Sequence, residues 1–123
     1  MENSFTVAIV GGTGNLGGAL ALRLGAPGVK TIIGSRDAEK AKKAVETLRP
    51  RLRAGEIEGT TNQEAVKGAD FVVIAVPYEG HAQMVSNLKG QLAEKIVIDT
   101  VVPLNKGRPF VPPAGSALQE AQQ

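Results

Sequence analysis

Val7-Ala8-Ile9-Val10-Gly11-Gly12-Thr13-Gly14-Asn15-Leu16-Gly17-Gly18 begins as an apolar run, stops at glycines and resumes with helical spacing. The run predicts a buried strand, the glycines a tight turn, and the residues after them a helix. Gly12-x-Gly14-x-x-Gly17 has the spacing of a dinucleotide-binding turn. The first glycine permits the turn, the second lets backbone approach a pyrophosphate, and the third lets helix pack on strand. The start of such a helix aims unpaired N–H groups and the positive end of its dipole at the phosphate. A bare glycine pattern is a weak signal. Here an apolar strand directly before it and an apolar-periodic helix directly after it strengthen it.

Outward from that turn the chain alternates strand and helix. Phe5 to Val10 forms the first strand and Asn15 to about Leu24 the first helix, with Leu16, Ala19, Leu20 and Leu24 as its apolar face. Gly25-Ala26-Pro27-Gly28 stops that helix. Val29 to Gly34 is a second strand and Ala38 to Leu48 a second helix with Ala41, Ala44, Val45 and Leu48 inward, ended by Pro50. Glu56 to Thr61 is a short strand. Asn62 to Lys67 is a short helix with Asn62 as its N-cap and Gly68 as its stop. Phe71 to Val76 reads as a central parallel strand, broken by Pro77. Tyr78 to about Leu88 is a fourth helix with Met84, Val85 and Leu88 inward and Gly90 as punctuation, and Lys95 to Thr100 is a fifth strand. Beyond Val101, prolines and glycines predict an extended segment. Ser116 and Gln119 have capping-box spacing for a helix that has barely begun at Gln123.

This alternation implies right-handed βαβ units and an α/β doubly wound parallel sheet, the Rossmann fold. Its ligand belongs at the carboxyl ends of the strands. Residues 1–104 are expected to form one nucleotide-binding domain, and 105–123 an extended segment with the start of a truncated helix.

Composition narrows the function. The chain has 123 residues, 42% of them hydrophobic, enough for one domain with a real core. With no cysteine and one histidine it offers neither a disulfide framework nor a thiolate or histidine-rich metal centre. The net charge is +2 and aromatics make up 3%, with basic residues scattered among acidic ones, which argues against nucleic acid. No apolar run approaches the roughly 18 residues of a membrane span. Met1-Glu2-Asn3-Ser4 lacks the basic start of a signal peptide, so a cytoplasmic location is expected. The basic cluster Arg49-Pro50-Arg51-Leu52-Arg53 reads as a solvated helix end.

Ser35-Arg36, eighteen and nineteen residues after Gly17, stands where an NAD binder places Asp or Glu. A guanidinium matches a 2′-phosphate through its planar fork of donors. Ser35 can donate a hydroxyl, and Lys40 lies one helical turn further on. Asp37, the nearest acid, directly precedes the second helix and reads as its N-cap. NADP(H) is therefore the expected cofactor.

Gly11-Gly12-Thr13-Gly14-Asn15-Leu16-Gly17, Gly34-Ser35-Arg36, Ala75-Val76-Pro77-Tyr78-Glu79 and Asp99-Thr100-Val101-Val102-Pro103-Leu104 together resemble the N-terminal domain of NADPH-dependent reductases of coenzyme F-420, a deazaflavin. The resemblance runs from Thr6 to about Ala121. It implies hydride transfer between nicotinamide and deazaflavin. Thr13, Asn15 and Leu16 would line the pyrophosphate, Ser35, Arg36 and Lys40 would hold the 2′-phosphate, and Val76 and Pro77 would lie near the nicotinamide. Tyr78, directly after Pro77, could stack on a ring or cover apolar surface. No side chain need act as acid, base or nucleophile, because the two cofactors carry the chemistry. His81 reads as a partly exposed helix residue, and Asp99 as a turn or capping partner.

The resemblance further implies a small C-terminal domain closing over the deazaflavin. This chain stops where that part would start, so half of the second site is expected to come from elsewhere. An apolar face left uncovered would favour a homodimer. Two other classes fit the same turn: a non-catalytic NADP-binding redox sensor, and a flavin or ferric reductase domain.

Overall fold

Five strands form one parallel sheet in the computed structural model, which describes residues 5–76, 78–92, 95–100, 104–105 and 108–109. They are β1 (Phe5–Val10), β2 (Val29–Ser35), β3 (Glu56–Thr61), β4 (Phe71–Ile74) and β5 (Ile96–Asp99). Between them run α1 (Asn15–Arg23), α2 (Ala38–Leu48), α3 (Asn62–Lys67) and α4 (Tyr78–Leu92). The order across the sheet is β3-β2-β1-β4-β5, and every neighbouring pair is parallel. The chain steps outward from β1 in one direction, then returns and continues from β4 in the other. The reversal leaves a crevice at the carboxyl ends of β1 and β4.

Alternation along the central strands feeds two cores. Val7, Ile9, Val29, Ile33, Ile57 and Val73 pack on one face with Ala21 of α1 and Ala41, Val45 and Leu48 of α2. Ala8, Val10, Ile32 and Val72 pack on the other with Ala65 and Val66 of α3 and Leu88 of α4. Successive residues point to opposite faces, so a strand covered on both sides must be apolar throughout. Val7 to Val10 meet that condition, at 4% exposure or less. The doubly wound sheet expected from the sequence is thus present.

Several local expectations change. The inward face of α1 is not Leu16 and Ala19, which are both exposed, but Gly17 and the fully buried Ala21, with Leu20 and Leu24 packed at the margin. The close approach of Gly17 to the glycine turn sets that rotation. The N-cap of α3 is Thr61, whose Oγ1 accepts the Glu64 N–H at 3.3 Å, and not Asn62, which is already helical. Gly90 does not stop α4, which continues to Leu92. It is exposed with nothing near it, and one exposed helical glycine costs only about 1 kcal/mol against alanine. The ladder of β4 ends at Ile74 rather than Val76, although the Ala75 N–H still donates to Val10 O at 2.9 Å. After Leu48 the chain tightens into a 3-10 turn over Arg49–Arg51 with Pro50 near its start. Arg49, read as part of a solvated cluster, also donates through Nη2 to Ile57 O at 3.2 Å.

In the segment expected to be extended, Leu104–Asn105 (β6) and Arg108–Pro109 (β7) pair as a short antiparallel ribbon. The helix expected from Ser116 lies outside the described residues. No helix among the described residues is long and apolar enough to cross a membrane.

Candidate functional site

The loops leaving the carboxyl ends of β1, β2 and β4 build the site. At the end of β1, Gly11 takes φ +73°, a left-handed conformation that favours glycine. A Cβ on it would also lie 2.5 Å from Val76 Cγ1. Gly12 is buried and its N–H donates to Gly34 O at 3.0 Å, tying the turn to the end of β2. A Cβ on Gly17 would sit 2.5 Å from Gly12 Cα, so α1 lies directly on the turn. Gly14 differs, since its nearest neighbour would be Gly11 O at 4.0 Å. It opens toward the space where a ligand would lie.

Gly14 is the N-cap of α1, with extended backbone, no side-chain capping bond and no acidic residue in the first turn. The other two helices with described caps are closed, α2 by Asp37 and α3 by Thr61. The first intrahelical bond of α1 is from Gly18 N–H to Gly14 O, so the amides before it have no helical acceptor. An uncapped helix start behind glycine backbone is suited to an anion.

Ser35 ends β2 and is 7% exposed. Its Oγ accepts the Asp37 N–H at 3.2 Å, which leaves its own hydroxyl hydrogen to donate. Arg36 and Lys40 are exposed, and no ion pair with a described residue holds either. Asp37 Oδ1 accepts the Glu39 N–H at 2.9 Å, as expected of the N-cap. One oxygen of its carboxylate is therefore engaged in capping the helix. Among the described residues, Arg36 and Lys40 have no ion-pair partner and the Ser35 hydroxyl keeps a hydrogen to donate.

On the β4 side, Val76 is half-buried against Gly11. Thr100 secures the end of β5 to that of β4, its Oγ1 donating to Ile74 O at 2.7 Å and its N–H at 3.1 Å. Pro77 lies outside the described residues. So do Val101 to Pro103 and the side chains of Asn15, Tyr78, Glu79 and His81. Thr13, in the turn, and Leu16, in the first turn of α1, are exposed.

Asn62 is a residue of the site that sequence reasoning assigned to capping. It is 2% exposed, and its Oδ1 accepts the Gly11 N–H at 3.2 Å. No local pattern marks such a bond. The available clue was an Asn one place too late to cap its helix.

A family model described as NADP oxidoreductase, coenzyme F420-dependent, matches residues 6–103. The chain belongs to that family. It is 41% identical over 101 residues to the F420-dependent NADP reductase of Methanothermobacter thermautotrophicus, covering 80% of this chain and 44% of the relative. It is 42% identical over 126 positions to the F420-dependent NADP reductase of Methanocaldococcus jannaschii, covering 94% and 56%. The chain thus spans about half the length of these curated relatives. The matched stretch contains the glycine turn, Ser35-Arg36 and Val76. More distant solved structures share the fold alone. They include a lactate dehydrogenase from Cryptosporidium parvum at 18% identity and TM-score 0.59, over 80% of this chain and 38% of that one. A pyrroline-5-carboxylate reductase from Coxiella burnetii follows at 21% identity and TM-score 0.54, over 85% and 38%.

Proposed function

We propose that this chain binds NADP(H) and serves hydride transfer between NADPH and coenzyme F-420. The observation that carries it is the uncapped helix start at Gly14 together with Arg36 and Lys40 after β2, exposed and with no ion-pair partner among the described residues. The pyrophosphate would lie against the amides from Thr13 to Leu16, Gly14 giving the backbone room to approach. Gly12 contributes by fixing the turn through Gly34 O rather than by donating to the ligand. The 2′-phosphate would take Arg36, Lys40 and the Ser35 hydroxyl, and the nicotinamide end would run toward Val76, Pro77 and Tyr78.

When both are bound, nicotinamide and deazaflavin would supply the hydride chemistry between them. The chain's own task is orientation, which is where the rate advantage of such a transfer arises. Support comes from the family and from relatives named as F420-dependent NADP reductases. In this reading residues 1–104 are the nucleotide-binding unit, the location is cytoplasmic and a homodimer is the assembly. The dimer is supported by edge strand β5, where Ile96, Val97 and Ile98 are 58%, 38% and 48% exposed.

Titration with NADPH and NADH tests the binding. NADPH should bind clearly tighter, and equal affinities would refute the phosphate site. Loss of nicotinamide absorbance on mixing with NADPH and oxidised deazaflavin tests the transfer. NADPH binding without turnover in a protein that carries this chain at the relatives' full length would refute the reaction.

A further inference from the structure

Asn62 is buried as deeply as the surrounding aliphatic core, although it is the first residue of α3 and could have faced water. Burying an amide costs free energy unless it is hydrogen-bonded, a cost that leucine of similar size would avoid. The amide is used across the fold. Oδ1 accepts the Gly11 N–H at 3.2 Å, and Nδ2 lies 3.6 Å from Met84 Sδ in α4. The orientation is fixed by chemistry, because the Gly11 N–H requires an acceptor. Room for it comes from β2, where a Cβ on Gly34 would lie 2.6 Å from Oδ1.

Two successive peptides at the start of the turn are thus committed inward, Gly11 to Asn62 Oδ1 and Gly12 to Gly34 O. The opposite side of Gly11 is closed by Val76. Held on both sides, the turn cannot rotate its peptides without losing a buried hydrogen bond. The next amides, from Thr13 into α1, are those offered to a ligand.

Resting on the NADP(H) reading above, we propose that Asn62 is a positioning residue for the nucleotide phosphates. Its side chain orients the Gly11 peptide, ties the turn to α3 and α4, and so presents a preformed set of amides to the pyrophosphate. The benefit of such preorganisation falls on ligands that carry a pyrophosphate and not on the 2′-phosphate subsite at Arg36.

Calorimetric titration of wild type, Asn62→Leu and Arg36→Ala with NADP+, NAD+ and 2′-AMP tests it. Asn62→Leu keeps the branched shape and removes the acceptor. It should weaken NADP+ and NAD+ by the same factor, about tenfold, as for one lost buried hydrogen bond, and leave 2′-AMP unchanged. Arg36→Ala should weaken NADP+ and 2′-AMP and spare NAD+. Wild-type affinity of Asn62→Leu for all three ligands would overturn the proposal, and so would an equal loss on all three.

If Asn62→Leu does not fold, Asn62→Ala removes the same acceptor without adding bulk. It should weaken the two dinucleotides and spare 2′-AMP, and an unselective loss would again overturn the proposal. Should the wild-type chain bind none of the three, the NADP(H) reading itself falls. If it binds them and only the selectivity is missing, the role of Asn62 alone falls.

Discussion

Replacing Gly17 with alanine separates two effects of opposite sign. Alanine in a helix interior is favoured over glycine by about 1 kcal/mol. At Gly17, however, the new Cβ would lie 2.5 Å from Gly12 Cα, 2.7 Å from Gly12 O and 2.8 Å from Gly12 C. All three atoms are backbone, held by the bonds of Gly11 and Gly12 to Asn62 and Gly34, so no side chain can swing aside. To reach even 3.0 Å from Gly12 Cα, α1 must retreat by about 0.5 Å, which opens a gap over the fully buried Ala21. Overpacking of this kind costs about 1–3 kcal/mol, and the strain exceeds the propensity gain. We expect Gly17→Ala to be destabilised by up to about 2 kcal/mol net in urea denaturation. NADPH binding should weaken as well, because the helix start moves with the helix.

Two further glycines calibrate the result. Gly90→Ala meets nothing within 4 Å and should stabilise by about 0.5–1 kcal/mol. Gly14→Ala has extended backbone and no close neighbour, so it should cost no more than about 1 kcal/mol in stability. It should nonetheless lose most NADPH affinity, since its Cβ fills the space of the phosphate. A Gly17→Ala protein as stable as wild type, with unchanged NADPH affinity, would refute the packing argument.

Arg36→Ala should weaken NADPH by about 1.5–3 kcal/mol, as for lost charge-assisted hydrogen bonds, while leaving NADH almost unchanged by calorimetry. Asp37→Ala removes the cap of α2 and should lower stability by about 1 kcal/mol in urea with no loss of NADPH affinity. A collapse of NADH binding at full stability would instead mark Asp37 as a ribose ligand. Leu88→Ala, fully buried in the core under α4, should cost about 2–5 kcal/mol in the same denaturation assay.

Elements whose ends carry local chemistry were legible residue by residue. The strand Phe5–Val10, the helix Ala38–Leu48 behind its Asp37 cap, and the strand Glu56–Thr61 all stand where periodicity and turn residues put them. Ser35, Arg36 and the glycine turn were legible as a group, because a parallel sheet brings the ends of its strands to one edge. Leu16 was misassigned because periodicity names a stripe without saying how far a helix is rotated on its sheet. The contact of Gly17 with Gly12 decides that rotation. The run Ile96-Val97-Ile98 has the composition of a central strand yet forms the edge among the described residues, since strand order is not a local property.

From its residues alone this chain carries its element pattern, its doubly wound class, the glycine turn and the Ser35-Arg36 pair on which the proposed NADP(H) reading rests. Each rests on interactions within a few residues or on the chemistry of a single side chain. Tertiary structure alone decided that Thr61 rather than Asn62 closes α3, and that Arg36 and Lys40 have no described ion-pair partner. It also decided that Asn62 turns from capping to hold Gly11. That bond joins groups 51 residues apart, and only packing of α3 beneath the turn brings them within reach.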